Sequence, residues 1–510
     1  FNICVGNKTM QNAAHADTDY NVAIGHTAMK GGTDAGFQYN VAVGGATLSA
    51  ITAGDYNVAV GHQSLKSTTT GTNNIALGYY ALGEAEAGES YNIAIGSQAM
   101  GVLKEGTGGG ARTADYNIAI GYQALYGGDL ESTSGDVLKC IAIGHNAFDA
   151  TSGTDHIGAV VIGHEAGTAV NDDDAVGLTL VGYQAGASIT SGAGNVAIGY
   201  EALKTLTTVN QNTAVGYKAG NLNNGAACTY VGYQAGMKGD AAGSTPTDCT
   251  YIGSRAGERM DDATSNTSVG SNAMLGTDSD GNTGASNVSI GKSSMEAITD
   301  GSGNSCVGTQ AGDAITTGDN NVCIGYLSDA AATVDNQISI GKSAVTSVTD
   351  AICIGVGITN GTTRTVKFGD AGQSMISQDW DSAGDSTWTR SSDRRRKRNI
   401  KDNTLGLEFI NKLQTRTFQM KPQNELPKEW VSYSETNRYD TEKVHIGFIA
   451  QELKELIDEY GAPDEVGSWS EDEDGMQRAG ETKLITPLIK AVQELSAEVN
   501  NLKQQLKEQS

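Results

Sequence analysis

A mostly β chain is what this sequence predicts: a β-solenoid of about 20 short rungs, then a small α+β domain, then a C-terminal coiled-coil helix. Three observations carry that expectation. A six-residue unit, Tyr-Asn-Val-Ala-Ile-Gly, recurs throughout residues 1–369. Gly is 67 of 510 residues, well above its usual share, and excess Gly at a short period points to stacked turns. Composition then changes after Gly369: all four Trp and four of the five Pro lie beyond it, and a heptad run of apolar residues closes the chain.

The unit is nearly intact at Tyr20–Gly25, Tyr39–Gly44, Tyr56–Gly61, Tyr91–Gly96 and Tyr116–Gly121. Looser copies bring the total to 20, spaced 14 to 25 residues apart and most often 17. A fixed segment with a variable remainder reads as a strand whose loops differ in length on one side of a stack. Within it Val22 and Ile24 share one face, Asn21 and Ala23 the other. Val and Ile favour a strand, and Gly permits the turn after it. A small residue three places after the Gly, as at Ala202 and Ala235, suggests close approach to the next layer. Stacked rungs are expected to bury their Val and Ile. The smaller face (Ala23, Ala42, Ala59, Ser289, Cys323) has too little bulk for a core of its own and suits an axis where three copies meet. At ~4.8 Å per rung the shaft would run roughly 100 Å. Residues 370–391 read as a β collar, with Trp380 and Trp388 over the open end, since a last rung otherwise exposes strand edges.

Charge narrows the partners. The chain carries a net charge of -25; residues 392–510 hold 18 Lys and Arg against 22 Asp and Glu, leaving 16 against 37 for residues 1–391. Such an acidic body repels phosphate backbones, so nucleic-acid binding is not expected. No apolar run reaches the length of a membrane span, so no membrane insertion is expected, and no signal peptide is visible. Phe1 begins inside a repeat, so upstream sequence is expected, and with it contacts to other proteins. The seven Cys are an odd number and sit at two fixed slots, two or four residues before a repeat Gly. They read as small packing residues, compatible with assembly in a reducing cytoplasm. No cofactor is expected.

Tyr or His often follows the repeat Gly: His26, His62, His145 and His164, and Tyr79, Tyr122, Tyr183, Tyr200, Tyr217, Tyr233 and Tyr326. These form either a ladder that contacts glycans or, more simply, rings stacked from rung to rung. His145 and His164 fall on adjacent rungs, but a metal site needs converging ligands of more types. Asp278-Ser-Asp280-Gly-Asn282 resembles the start of a calcium loop and lacks its terminal acidic ligand, so a polar turn is expected. No metal is assigned.

The repeats resemble the head repeats of trimeric autotransporter adhesins and related repeats of phage tail fibres, over about 70% of the chain. That resemblance implies a left-handed parallel β-roll, trimeric about its long axis. The longer loops depart from the family's shortest repeats.

Beyond the collar, Thr404 to Leu413 reads as an amphipathic helix with Leu405, Phe409, Ile410 and Leu413 at helical spacing. His445-Ile-Gly-Phe-Ile-Ala-Gln-Glu-Leu453 leads into a second helix through Leu456 and Ile457. In the last segment Ile485, Leu488, Val492, Leu495, Val499, Leu502 and Leu506 alternate in steps of three and four, a seam for partner helices. Pro487 suits a first helical turn.

Ser392-Asp393, Lys397 and Asn399-Ile400, followed by His445–Leu453 and the terminal heptads, resemble the intramolecular chaperone domain of endosialidases and phage tail fibres. The resemblance covers about 119 residues, divided here into 392–480 for the processing domain and 481–510 for a trimeric coiled coil. It implies a domain that trimerises a fibre, helps it fold and cuts itself off between Ser391 and Ser392. Ser392 would be the nucleophile and Lys397 the general base. Asp393 would orient the turn, and His445 either supports the site or fills a core. Arg396 stands where relatives often carry an apolar residue. The chemistry is coherent on its own terms: Arg394, Arg395, Arg396 and Arg398 crowd Lys397 with like charge, which favours the neutral amine a base requires. Residues five apart do not share a helix face, and on a strand they point oppositely, so the pair must meet on a turn or across subunits.

The leading expectation is therefore a homotrimeric phage tail fibre or spike, part of a virion and assembled in the host cytoplasm, whose shaft reaches a host-surface receptor. A polysaccharide-degrading spike would need paired carboxylates in a cleft, for which no inserted domain is large enough. A bacterial surface adhesin should end in a membrane anchor, and a membrane-bound transcription factor would need a span.

Overall fold

The computed structural model describes residues 1–510 except 14, 33–35, 86–87, 103–113, 128–135, 152–154, 172–175, 223, 238–244, 278–281, 372–373, 378–387, 391–393, 395–397, 429–432, 438–439, 461–468, 472–476 and 510. Of residues 374–377 and 388–390 it describes the backbone only. Contacts divide the chain into two units, Phe1–Ser391 and Ser392–Ser510.

The first unit is a parallel β-solenoid. One 23-stranded sheet runs through it, and its parallel part extends from Ile3–Val5 to Val366–Asp370 in strict register, so that Val22 pairs with Val41, Ala23 with Ala42 and Ile24 with Val43. Strand Ser374–Ser377 then pairs antiparallel onto Val366–Asp370 and covers the last parallel edge, and Trp388–Arg390 pairs antiparallel onto Ser374–Ser377 in turn. Trp380 lies outside the described residues.

Close stacking of rungs explains the repeat Gly. At Gly199 φ is +139°, and a Cβ there would collide with the carbonyl oxygen of Gly216 on the next rung. The preceding Asn is equally constrained. Asn57 is fully buried, and its backbone N–H donates to Asn40 Oδ1 at 2.8 Å while its Nδ2 donates to Gly71 O at 2.8 Å. Asn74 N–H in turn donates to Asn57 Oδ1 at 3.0 Å. This ladder pairs inward backbone groups that would otherwise be orphaned in the core. Cys takes the Asn slot at Cys140, Cys228 and Cys249. Cys140 N–H donates to Asn117 Oδ1 at 2.9 Å, and its thiol donates to His156 O at 3.2 Å. Burial pushes that thiol up to about 11, in keeping with a packing role.

The two strand faces are the reverse of what the sequence suggested. The Ala face points inward: Ala23, Ala42, Ala59, Ser289 and Cys323 are all fully buried. The Val and Ile face points outward, and Ile24, Val60, Ile198, Ile290 and Ile324 remain 38–43% exposed. Ala suffices inside because the turn supplies the missing bulk. Four residues after the repeat Gly a large side chain folds back into the core: Met29, Leu48, Leu65, Met100, Leu125, Phe148 and Leu203, all fully buried. Where the strand residue is large, this turn position is Gly instead. Leu180 is matched by Gly186 and Tyr251 by Gly257, and a Cβ on Gly257 would lie 2.5 Å from Tyr251 Cδ2. Ala at Gly−2 with a bulky residue at Gly+4, or a bulky residue at Gly−2 with Gly at Gly+4, therefore fill the same volume.

This exchange predicts coupling within a rung. Tyr251→Ala is expected to cost about 3–5 kcal/mol through the cavity it leaves. Gly257→Leu alone should also destabilise, by overpacking. The double variant should recover part of the loss, because Leu203 occupies the equivalent position at φ 47° elsewhere in the stack. Thermal unfolding of the four proteins as a double-mutant cycle measures the coupling.

Candidate functional site

The C-terminal unit is built around a small apolar cluster. Helix α1 (Leu407–Lys412), helix α2 (Ala450–Glu459) and the start of helix α3 (Ile485–Gln509) enclose Leu405, Phe409, Leu453, Leu456, Ile457 and Leu484. Strand Arg416–Gln419 pairs antiparallel with Val444–Gly447, and Trp469–Glu471 with Gln477–Ala479. Helix α1 starts later than its apolar spacing suggested. Asn403 Oδ1 accepts the Leu405 N–H and its Nδ2 donates to Leu405 O, both at 3.1 Å, and this local turn competes with the helix.

Of the residues assigned to self-cleavage, Ser391, Ser392, Asp393 and Lys397 lie outside the described residues. Around them Arg394 and Arg398 are exposed, and Asn399 adopts the left-handed conformation at φ 55°, a turn that Asn tolerates. His445 is placed. It is half-buried on strand Val444–Gly447, and its ring stacks on Phe418 of the paired strand at 5.7 Å. Its ring is thus engaged in packing across this hairpin.

Several contacts that hold this unit together were not singled out in the sequence. Arg416 pairs with Glu452 through three hydrogen bonds, Nε to Oε1 at 3.2 Å and to Oε2 at 3.0 Å and Nη2 to Oε1 at 2.7 Å, tying the strand pair to α2. The guanidinium holds the Glu452 carboxyl below the usual carboxylate range. Lys412 reaches Glu459 at 2.8 Å and lies 5.1 Å from the Tyr460 ring, tying α1 to the end of α2. Helix α1 has no side-chain cap of its own; Glu494 of α3 supplies one, accepting the Leu407 N–H at 2.7 Å. Gly406 admits that carboxylate, which a Cβ would strike. A salt bridge is found by spacing only within one element, so these partners, 36 to 87 residues apart, left no signal of that kind.

Helix α3 is apolar on two sides. Pro487 and Ala491 are buried. Ile485, Leu488, Val492, Leu495, Val499, Leu502 and Leu506 are 40–67% exposed, so the heptad seam faces away from the domain that carries it.

On the solenoid, the rings after the repeat Gly stack on one another. Tyr122, His145, His164, Tyr183, Tyr200, Tyr217 and Tyr233 form a continuous ladder with centroids 4.9–5.4 Å apart. This is the simpler of the two expected readings. A second ladder, Phe1–Tyr20–Tyr39–Tyr56, is made by the Tyr that opens the motif. His145 and His164 lie face to face at 4.9 Å. Among the described residues no group of three or more His, Cys, Asp or Glu is arranged to hold a metal, and no helix is long and apolar enough to cross a membrane. Residues 278–281 of the calcium-like loop lie outside the described residues; Asn282 donates to Arg259 O at 2.7 Å.

Because Glu494 caps α1 from a distant helix, Glu494→Ala should lower the unfolding free energy of the C-terminal unit by about 1–2 kcal/mol, read from its denaturant midpoint.

No curated protein and no solved structure shows significant similarity to the chain. Residues 392–462, from the first residue of the second unit through the end of α2, match the family described as chaperone of endosialidase. The part of the chain that follows the parallel β-solenoid is thus similar, over these residues, to an endosialidase-type chaperone.

Proposed function

We propose that the chain is the shaft of a phage tail fibre or spike, trimerised and folded by a C-terminal chaperone that then cuts itself free. The family is a peptidase family, which supports self-cleavage as the activity of the domain. One observation carries the reading. The family match begins at Ser392, and the division of the chain into two units falls between Ser391 and Ser392. A cut there would separate one folded unit from another without opening either.

The proposed step balances as follows. Ser392 Oγ attacks the carbonyl carbon of Ser391 while Lys397 accepts the hydroxyl proton. The Ser391–Ser392 C–N bond breaks as the Ser392 nitrogen takes up a proton. An ester then joins the Ser391 carbonyl to Ser392 Oγ. Water hydrolyses it to the Ser391 carboxylate and the Ser392 hydroxyl. The nucleophile leaves on one product, so the reaction occurs once per chain. Asp393 and His445 act, in this reading, as supports of the turn and the fold.

The trimer is supported by the exposed seam of α3, an apolar stripe at heptad spacing with no counterpart among the described residues of its own unit. The shaft would engage a receptor on the host surface, a glycan or an outer-surface protein. In the virion it would join other tail proteins, after assembly in the host cytoplasm. The acidic shaft argues against a nucleic-acid partner.

Intact mass after expression tests the cut. The wild type should yield fragments ending at Ser391 and starting at Ser392, and Ser392→Ala and Lys397→Ala should each stay whole. A wild type that trimerises and remains uncut would refute the peptidase assignment. Leu495→Asp, placed in the seam, should dissociate the isolated oligomer by at least tenfold in native mass or sedimentation while leaving the helix content of the unit unchanged.

A further inference from the structure

We infer that Cys306 and Cys323 form a redox site inside the solenoid, two thiols on consecutive rungs that a peroxide joins as a reversible disulfide. The site is separate from the proposed cut and from the seam of α3.

Register brings the two together. Strand Ser305–Val307 pairs in parallel with Val322–Ile324, and Cys306 stands directly opposite Cys323. Both occupy the inward position two before the repeat Gly, and both are fully buried. In-register neighbours on adjacent parallel strands lie ~4.8 Å apart, inside the Cα separation of roughly 4.4–6.8 Å that a disulfide spans. The two sulfurs already act on each other. Cys306 is the first cause, ahead of burial, that holds the Cys323 thiol well above its usual range.

The surroundings leave these sulfurs room to turn. Most rungs place a large side chain either two before or four after the repeat Gly. These two rungs place one at neither position: Cys306 goes with Gly312 and Cys323 with Asp329. A Cβ on Gly312 would strike Cys306 Sγ, so Gly keeps that side of the sulfur open. Small residues continue around the pair, with Ser289, Ser294, Ala311, Ser328 and Ser339 all fully buried. Their hydroxyls offer hydrogen-bond partners to an oxidant little larger than water.

The other thiols are placed differently. Cys228 and Cys249 also fall on consecutive rungs, but Cys228 Sγ donates to Pro246 O at 3.4 Å and Cys249 Sγ to Ala263 O at 3.2 Å, so backbone holds each. Cys353 is separated from Cys323 by the rung of Ser339, whose Oγ lies 3.3 Å from Cys353 Sγ. The oxidation of Cys306 and Cys323 balances in two steps. Peroxide gives one oxygen to one thiol, forming a sulfenic acid and water. The second sulfur attacks the sulfenic sulfur; the S–S bond forms, the S–O bond breaks, and the oxygen leaves as water with the second thiol's proton. Two electrons pass from the sulfurs to the peroxide. A reducing cytoplasm keeps the pair open, and oxidising surroundings close it. Closed, it ties two rungs covalently and restricts the unfolded chain.

Thiol counting by mass tests the assignment. The full chain carries Cys4→Ser, since Cys4 is the exposed thiol among the seven. The folded protein is treated with hydrogen peroxide, quenched with catalase, unfolded, and its remaining thiols are alkylated. Four of the six remaining Cys should take the label. Before labelling the chain should be lighter by about 2 Da, the two hydrogens lost. Peptides holding Cys306 and Cys323 should be linked, and dithiothreitol should restore all six thiols. Cys323→Ser should form no link, and it should fold, because Ser already fills this slot at Ser289 and Ser339. Six labelled Cys, a bond between any other pair, or oxygen added at Cys306 or Cys323 in place of the link would overturn the inference.

Discussion

Everything in the shaft depends on one close approach. Each repeat Gly sits where a Cβ would strike the carbonyl oxygen of the equivalent Gly on the next rung, with φ between 127° and 150° along the ladder. That contact fixes the rung spacing, and the rung spacing fixes the rest. At this spacing Asn side chains bridge successive rungs by hydrogen bonds to backbone groups, and aromatic rings stack within 4.9–5.8 Å. Loop length is free to vary, because the loops leave the stack after the turn and return before the next Asn.

The interior shows how a thin core is still a full one. A rung has room for one large side chain, contributed either by the strand or by the turn. Ala142 with Phe148 and Leu180 with Gly186 are two solutions to the same volume. Gly220 and Gly236 both abut Tyr230, so a large ring can serve a neighbouring rung as well as its own. A stack of this kind tolerates local exchange while its register is held by backbone, consistent with nearest-neighbour stability in repeat proteins.

The C-terminal unit is organised differently. It has few buried apolar residues and relies on contacts between elements distant in sequence, among them Arg416–Glu452, Lys412–Glu459 and Glu494 at the start of α1. Its longest helix keeps most of its apolar surface outside. A small domain with few buried apolar residues is marginal on its own, and covering an exposed apolar seam would add to its stability.

The sequence by itself determined the rungs, their register and the place where one kind of chain gives way to another. A period carried by Gly and β-branched residues can be met only by stacked strands, and Ser392 opens both the second unit and the family match. Tertiary structure decided which strand face is the core. Alternation says that Val22 and Ile24 lie opposite Ala23, and hydrophobicity alone favours Val and Ile inside. The answer turned on Met29, six residues beyond Ala23, which folds back to fill the space above it. The same limit applies to His445: its ring packs against Phe418, 27 residues away, because two strands pair there, and only the folded chain brings them together.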